Sequence, residues 1–147
     1  MTDPLAPPPD AHHAVVSDGE VFIWQPRSGI VVQKAAGILS LPLARCFADF
    51  YRPILQPGTH VQIFDDFVEL THYTREAREF LTDLTLERLF AVDVIHFLLS
   101  SKFMALGIGA FKHDVGDFRV LTYSDRESFL RSFAQAMAEP VVSESRL

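Results

Sequence analysis

Apolar residues recur along the first half of the chain with two different periods, which predict strands and helices in alternation. Two β-rich runs, 20–24 and 30–35, flank the Pro- and Gly-containing turn signal at 26–29 and predict a leading hairpin. Ser40 then precedes a helical spacing of apolar residues that runs from Leu43 to Ile54. The pattern predicts the order strand, strand, helix.

The second half of the chain continues this alternation. A short strand at 60–64 is expected to end in solvent at Asp65 and Asp66, and Thr74 is a candidate N-cap for the following helix. The segment 86–99 is apolar nearly all round after Phe90, which is typical of a buried helix.

Two strands and a helix are expected in the last third. The continuous apolar run at 104–110 indicates a central strand, and 118–123 indicates another. Ser124 or Asp125 is a candidate cap for a last helix, which Pro140 ends.

This order of elements predicts one α/β (α+β) domain. Its core is a mixed sheet of about five strands, with a leading β-hairpin and three to four helices packed on it. We expect the domain to span 19–138, after a flexible Pro-rich tail at 1–18 and before a flexible tail at 139–147.

Composition and charge narrow the class of protein. The chain has a net charge of -6 and no basic cluster, which argues against nucleic-acid binding. The most apolar segment, 89–111, carries polar residues near its middle, so we expect that it does not span a membrane. A single cysteine, Cys46, and the absence of a cationic apolar leader favour the cytoplasm.

Three stretches carry a resemblance to a known family. They are the hairpin at 21–35, the strand 61–65 before a helix, and the closing run 120–129. Together they resemble the sulfate-transporter and anti-sigma-factor-antagonist (STAS) domain. More narrowly, they are similar to bacterial relatives of the sporulation anti-anti-sigma factor and of Sec14-type lipid-binding proteins.

The resemblance implies a phosphorylated serine or threonine after the third strand of the best-known branch. This chain lacks the Asp-Ser-Ser-Gly run found there and keeps only the acid, Asp66. Thr71 and Thr74 are the candidate phosphoacceptors, since a helix N-terminus favours an anion. The competing role for Thr74 is the N-cap itself.

Several polar residues are candidates for a ligand-binding, metal or partner loop. Asp65 and Asp66, with His72, could bind a cation or act as acid and base, although a solvated turn is the simpler interpretation. His113, Asp114 and Asp117 share a predicted loop that could hold a divalent ion. No established metal motif contains them, so the prediction is no metal and no cofactor.

Three further features have structural interpretations. Asp93 and His96 share one face of the predicted helix, where a structural hydrogen bond is favoured over a metal site or proton-transfer pair. Gly107 and Gly109 lack the third glycine of a dinucleotide loop and indicate close packing. Cys46 falls on the inward helix face and is expected to pack there.

Three functions remain open from the sequence. The first is a non-enzymatic regulatory or scaffold domain that binds a protein partner or a second copy of itself. The second is a Sec14-like module for an apolar small molecule or lipid. The third is a metal-dependent enzyme that uses Asp65, Asp66 and a histidine.

Overall fold

The computed structural model describes residues 3–116 and 119–140. The strands in these ranges are β1 His12–Val16, β2 Gly19–Arg27, β3 Ile30–Leu39, β4 Val61–Tyr73, β5 Val92–Leu98 and β6 Val120–Tyr123. The helices are α1 Leu41–Ile54, α2 Arg75–Glu87, α3 Lys102–Val115 and α4 Arg126–Ala138, and a 3-10 turn, Leu89–Ala91, precedes β5.

The six described strands form one mixed sheet in chain order. The neighbours β1, β2 and β3 are antiparallel, whereas β3 to β6 are parallel. Each parallel step requires a crossover helix, and right-handed crossovers that advance in one direction place their helices on the same side. Helices α1, α2 and α3 therefore share one face of the sheet, and α4, which follows the last strand, packs on the other.

Each face has its own hydrophobic core. The core of the three-helix face, under α1, α2 and α3, contains buried residues such as Phe47, Ile63 and Met104. The core of the α4 face contains Phe64 and Phe129. Since successive strand residues point to opposite sides, neighbours such as Ile63 and Phe64 serve different cores.

The structure confirms the mixed sheet and the number of helices predicted from the sequence. The hairpin is β2–β3, with Gly29 in the left-handed region at φ 87°. Thr74 caps α2 by accepting a hydrogen bond from the Ala77 amide at 3.2 Å, and Asp125 caps α4 through the Ser128 amide at 2.8 Å.

For two segments the predicted type of secondary structure was wrong. The segment 86–99 is the end of α2, the 3-10 turn and β5, because a strand covered on both faces is as uniformly apolar as a buried helix. The segment 104–110 lies inside α3. Its continuous apolar character suggested a strand, but the Ser101 hydroxyl caps a helix there by accepting from the Met104 amide at 3.0 Å.

The sheet also extends beyond the predicted boundaries. Strand β4 continues to Tyr73, so Asp65 and Asp66 lie in mid-strand and are each 3 % exposed, contrary to the expected solvated strand end. Within 1–18, expected as a flexible tail, β1 pairs with β2 and Leu5 is completely buried. Of the predicted tail at 139–147, residues 141–147 lie outside the described residues.

Candidate functional site

A cavity of about 90 Å³ lies under the three-helix face, between the sheet and its helices. Its floor is formed by β3, β4 and β5, and its roof by α1, α2 and α3. Most of its wall is apolar. The apolar lining residues include Leu39, Phe47, Leu55, Ile63, Phe67, Leu84, Val92, Ile95, Phe97, Met104 and Phe111.

Three buried polar side chains, Gln33, Tyr51 and Asp65, interrupt this apolar wall. Gln33 and Asp65 are direct partners in the parallel register of β3 and β4, so both side chains leave the sheet on the same face. The Gln33 Nε2 donates a hydrogen bond to the Asp65 Oδ1 at 2.5 Å. Tyr51 reaches the same region from α1, where it lies on the buried stripe of the helix. We call these three residues the polar cluster.

The environment of the polar cluster favours its uncharged forms. Burial raises the pKa of the Asp65 carboxyl to about 8, with a further contribution from the nearby charge of Asp66, against the lowering effect of the Gln33 hydrogen bond. Burial, together with the charge of Asp65, raises the pKa of the Tyr51 phenol well above its usual value. At neutral pH Asp65 is therefore mostly a carboxylic acid.

Two atoms of the polar cluster are buried without a hydrogen-bond partner among the described residues. They are the Gln33 Oε1 and the Tyr51 hydroxyl. A buried polar group without a partner costs about 1–3 kcal/mol, so proteins rarely leave one in this state. Both atoms belong to residues that line the cavity, which supplies the space for a molecule that hydrogen-bonds them.

Half-buried residues of α2, α3 and the end of β4 form the rim of the cavity. They are Tyr73, Arg78, Leu81, Thr85 and Ile108. The rim is narrow at Gly107, where a Cβ atom would lie 2.5 Å from the Tyr73 ring. A side chain at position 107 would therefore displace this ring.

The second aspartate, Asp66, points to the α4 face and forms an ion pair there. Its Oδ2 is 3.3 Å from the Arg126 Nη1, and the same guanidinium contacts Asp3 at 2.8 Å. This arrangement ties the N-terminal segment and the start of α4 to the centre of the sheet. Asp65 and Asp66 are thus adjacent in sequence but separated by the sheet.

His96 also lies on the α4 face, within a hydrogen-bonded network. Its Nδ1 is 2.8 Å from the Tyr123 hydroxyl and its Nε2 is 3.1 Å from the Gln62 Oε1. Its ring stacks on Phe64 with a centroid distance of 4.1 Å. Burial lowers the pKa of His96 to about 4, so the ring is neutral at pH 7. His96 thus has structural hydrogen bonds, but with Tyr123 and Gln62 and not through a helix face shared with Asp93.

Comparison with solved structures identifies the fold. An uncharacterised protein of the DUF3478 family from Shewanella loihica, described as having a SpoIIAA-like fold, aligns with a TM-score of 0.60 at 11 % identity, over 81 % of this chain and 96 % of that one. The anti-sigma factor antagonist SpoIIAA in its unphosphorylated form aligns with a TM-score of 0.55 at 13 % identity, over 80 % and 97 % of the two chains.

The fold is SpoIIAA-like. The resemblance to the STAS domain drawn from the sequence is confirmed at the level of the fold. A scan against protein-family models gave no match, and neither did a search of the curated proteins.

Thr71 and Thr74, the candidate phosphoacceptors, lie at the carboxyl end of β4 and at the start of α2. Thr71 is exposed, and its hydroxyl donates to the Gly37 carbonyl at 3.3 Å. Thr74 is half-buried and occupied as the N-cap of α2. His72 lies between them, exposed, with its ring 6.3 Å from that of Tyr73.

The remaining candidates are dispersed over the fold. His113 and Asp114 are exposed in the last turn of α3, which corrects their assignment to a loop, and Asp117 lies outside the described residues. Asp93 is exposed and 3.3 Å from His60, so it does not pair with His96. Positions three apart share a face in a helix but lie on opposite faces of a strand such as β5.

The described residues contain neither clustered metal ligands nor a membrane-spanning helix. Among 3–116 and 119–140, no three His, Cys, Asp or Glu side chains are arranged so that they could hold a metal ion. No helix in the same ranges is both long enough and apolar enough to cross a membrane.

Sequence reasoning missed two of the three residues in the polar cluster. The signal for Gln33 was its place in the run Ile30–Ala35, where alternation puts it on the same side as Val31 and Ala35. Tyr51 was assigned correctly to the apolar face of α1, but its hydroxyl needs a polar partner there. Neither signal reveals that the two side chains line the same cavity as Asp65, since that arrangement depends on tertiary packing.

Proposed function

We propose that this chain is a non-enzymatic regulatory domain that binds a small molecule in the cavity of the three-helix face. The observation that carries the proposal is the polar cluster, with two unpartnered buried atoms at an otherwise apolar wall. Ligand sites in proteins commonly combine an apolar lining with a few convergent polar groups. Asp65, which the sequence made a candidate for a ligand-binding, metal or partner loop, is part of this proposed ligand site.

The SpoIIAA-like fold supports the regulatory part of this proposal. SpoIIAA is an anti-sigma factor antagonist, which is a regulatory role. The ligand would act by changing the packing of α2 and α3 at the rim, and thereby the outer surface of the domain. We further propose the cytoplasm as its compartment, as the sequence predicts.

A pair of tryptophan substitutions tests whether the cavity is the binding site. Thr85 lines the cavity, whereas the neighbouring Leu86 is 46 % exposed and does not. We expect Thr85→Trp to block the rim and reduce binding of a neutral probe such as toluene at least tenfold in calorimetry. Leu86→Trp, the matched control, should bind as the wild type does. Equal binding by all three proteins, or by none, would contradict the proposal.

A second candidate function is protein binding through the outer surface of the three-helix face. Leu86 of α2 and Leu106 of α3 are exposed there by 46 % and 74 %, and Phe90 of the 3-10 turn after α2 is exposed by 52 %. Such apolar exposure favours a contact with a second copy of this chain. Light scattering should then give a dimer mass that Leu106→Glu converts to a monomer mass, and a monomer mass for the wild type at high micromolar concentration would refute it.

Phosphorylation at the carboxyl end of β4 could regulate such a contact. Thr71 is the better phosphoacceptor of the two candidates, because its side chain is exposed while Thr74 is engaged as a cap. A phosphate at Thr71 would add about two negative charges near the N-terminus of α2, where the helix dipole favours them. Light scattering of Thr71→Asp beside Thr71→Ala would show whether charge at this position changes the oligomeric state.

A further inference from the structure

The size of the cavity limits the ligand. An ordered water requires about 10–15 Å³ of such space, so a cavity of about 90 Å³ holds on the order of six to nine water-sized groups. A ligand of about six to nine non-hydrogen atoms fits this limit. Long acyl chains exceed it, unless most of the molecule remains outside the rim.

The hydrogen-bonding capacity of the polar cluster limits the chemistry of the ligand's polar group. The unpartnered Gln33 Oε1 is an acceptor and needs a donor, while the Tyr51 hydroxyl and the Asp65 carboxylic acid each carry a proton that can be donated. A hydroxyl group has one proton to donate and two lone pairs to accept, so a single small group has the capacity to serve the Gln33 oxygen and these donors. An ether or ketone accepts only, and an ammonium group donates only.

Charge further restricts the ligand. A carboxylate would bring a negative charge beside Asp65 and leave the Gln33 Oε1 without a donor. An ammonium group would be stabilised only by an ionised Asp65. The free-energy cost of desolvating both charges in an apolar cavity opposes the formation of such an ion pair. The half-buried Arg78 at the rim adds a like charge on the path of a cation.

We infer that the ligand is a compact, mostly aromatic or aliphatic alcohol, bound with its hydroxyl group between Gln33 and Tyr51 and its apolar part among the phenylalanines of the cavity. This inference rests on the proposed function and names the ligand class for the same site. The phenylalanines are Phe47, Phe67, Phe97 and Phe111.

A series of four compounds of nearly equal size tests the inference by isothermal calorimetry on the full chain. They are benzyl alcohol, toluene, benzylamine and benzoate. At about pH 6, below the pKa of Asp65, we expect benzyl alcohol to bind about fivefold more tightly than toluene, as one or two net hydrogen bonds provide. Benzylamine and benzoate should bind more weakly than toluene.

Two Tyr→Phe variants assign the preference to the polar cluster. Tyr51→Phe removes only a hydroxyl from the cavity wall, so it should reduce the preference for benzyl alcohol over toluene from about fivefold to less than about twofold. Tyr123→Phe makes the same chemical change on the α4 face, where Tyr123 hydrogen-bonds His96, and should leave the preference intact.

The outcomes separate the ligand class from the proposed function. Toluene binding that equals or exceeds benzyl alcohol binding, or tighter binding of a charged compound, overturns the alcohol while the cavity remains a binding site. Loss of the preference in Tyr123→Phe with retention in Tyr51→Phe overturns it as well. Failure of all four compounds to bind the wild type overturns both the alcohol and the proposed function.

Discussion

At the scale of single residues, two buried titratable groups on opposite faces of the sheet dominate the electrostatics. Asp65 has a pKa of about 8 against an ordinary 3.8, and His96 a pKa of about 4 against an ordinary 6.5. Burial is the main cause in both cases, since it penalises the charged form of an acid and of a base alike.

The two shifts predict opposite dependences of stability on pH. Between pH 3.8 and about 8 the folded chain retains a proton on Asp65 that the unfolded chain has lost, so stability falls as the pH rises. Between about pH 4 and 6.5 the unfolded chain holds a proton on His96 that the folded chain lacks, so stability rises with pH. The two contributions to the free energy of unfolding oppose each other up to pH 6.5. Above this pH only the Asp65 contribution still changes.

We therefore expect the free energy of unfolding to change little from about pH 4.5 to 6.5, and to fall by about 2 kcal/mol between pH 6.5 and 8. Urea unfolding at a series of pH values measures this curve. Asp65→Asn should remove the fall above pH 6.5, while Asp93→Asn, a control at an exposed position, should preserve it. A level wild-type curve between pH 6.5 and 8 would show that Asp65 is ionised in the folded chain.

At the scale of elements, the two interior glycines of α3 have different surroundings. A Cβ at Gly107 would lie 2.5 Å from the Tyr73 ring, whereas a Cβ at Gly109 meets no atom within 4 Å. Alanine is favoured over glycine in a helix by about 1 kcal/mol. Gly109→Ala should therefore stabilise the chain by about 0.5–1 kcal/mol.

Gly107→Ala should not show this gain, because the Tyr73 ring must move away from the rim of the cavity. We expect it to be less stable than Gly109→Ala by at least about 1 kcal/mol, since overpacking offsets helix propensity. Thermal unfolding of the two variants side by side gives the comparison. Equal stability of both variants would mean that α3 and the end of β4 are not packed as described.

The N-cap of α2 gives a second prediction at this scale. Thr74 accepts from the Ala77 amide, so Thr74→Ala should cost about 1 kcal/mol, and Thr74→Ser should restore most of it. Thr71→Ala, three residues earlier and exposed, should change stability by less than about 0.5 kcal/mol. A larger loss at position 71 than at position 74 would contradict the assigned cap.

The elements also show how far the sequence determines the fold. Elements with one solvent-facing side, such as α1 and α4, were predictable because their apolar residues follow a clear period. Strand β5 is covered on both faces, and α3 is apolar with two glycines, so neither shows a decisive period in isolation. Their types follow from the alternation of helices with parallel strands, which is a property of the whole sheet.

The same distinction applies to the site. Asp65 could be chosen as a candidate from the sequence, yet its location inside the sheet could not, because the pairing of β4 with β3 extends the strand to Tyr73. Gln33 and Tyr51 are ordinary members of their elements until the register of the sheet and the packing of α1 bring them to Asp65.

At the scale of the whole molecule, the N-terminal segment is part of the domain. Leu5 is fully buried in the core of the α4 face, and Asp3 pairs with Arg126 of α4. Leu5→Ala should lower the free energy of unfolding by about 2–5 kcal/mol through the lost contacts and the remaining cavity.

The control for this change is Leu121→Ala, which makes the same substitution at a side chain that is 46 % exposed. Its effect should stay within about 1 kcal/mol. Chemical denaturation of both variants provides the comparison. If Leu5→Ala were as mild as Leu121→Ala, the segment would behave as the flexible tail that the sequence suggested.

We have proposed that the cavity of the three-helix face binds a small alcohol, while the α4 face is a close-packed core. Titration of methyl-labelled protein with benzyl alcohol, followed by NMR, tests this proposal most directly, because the sheet separates the two sets of methyl groups. We expect chemical-shift changes at cavity methyls such as Ile63, Val92 and Met104, with none at Val32 or Leu98 on the other face. Shifts of equal size on both faces, or none at the cavity methyls, would contradict it.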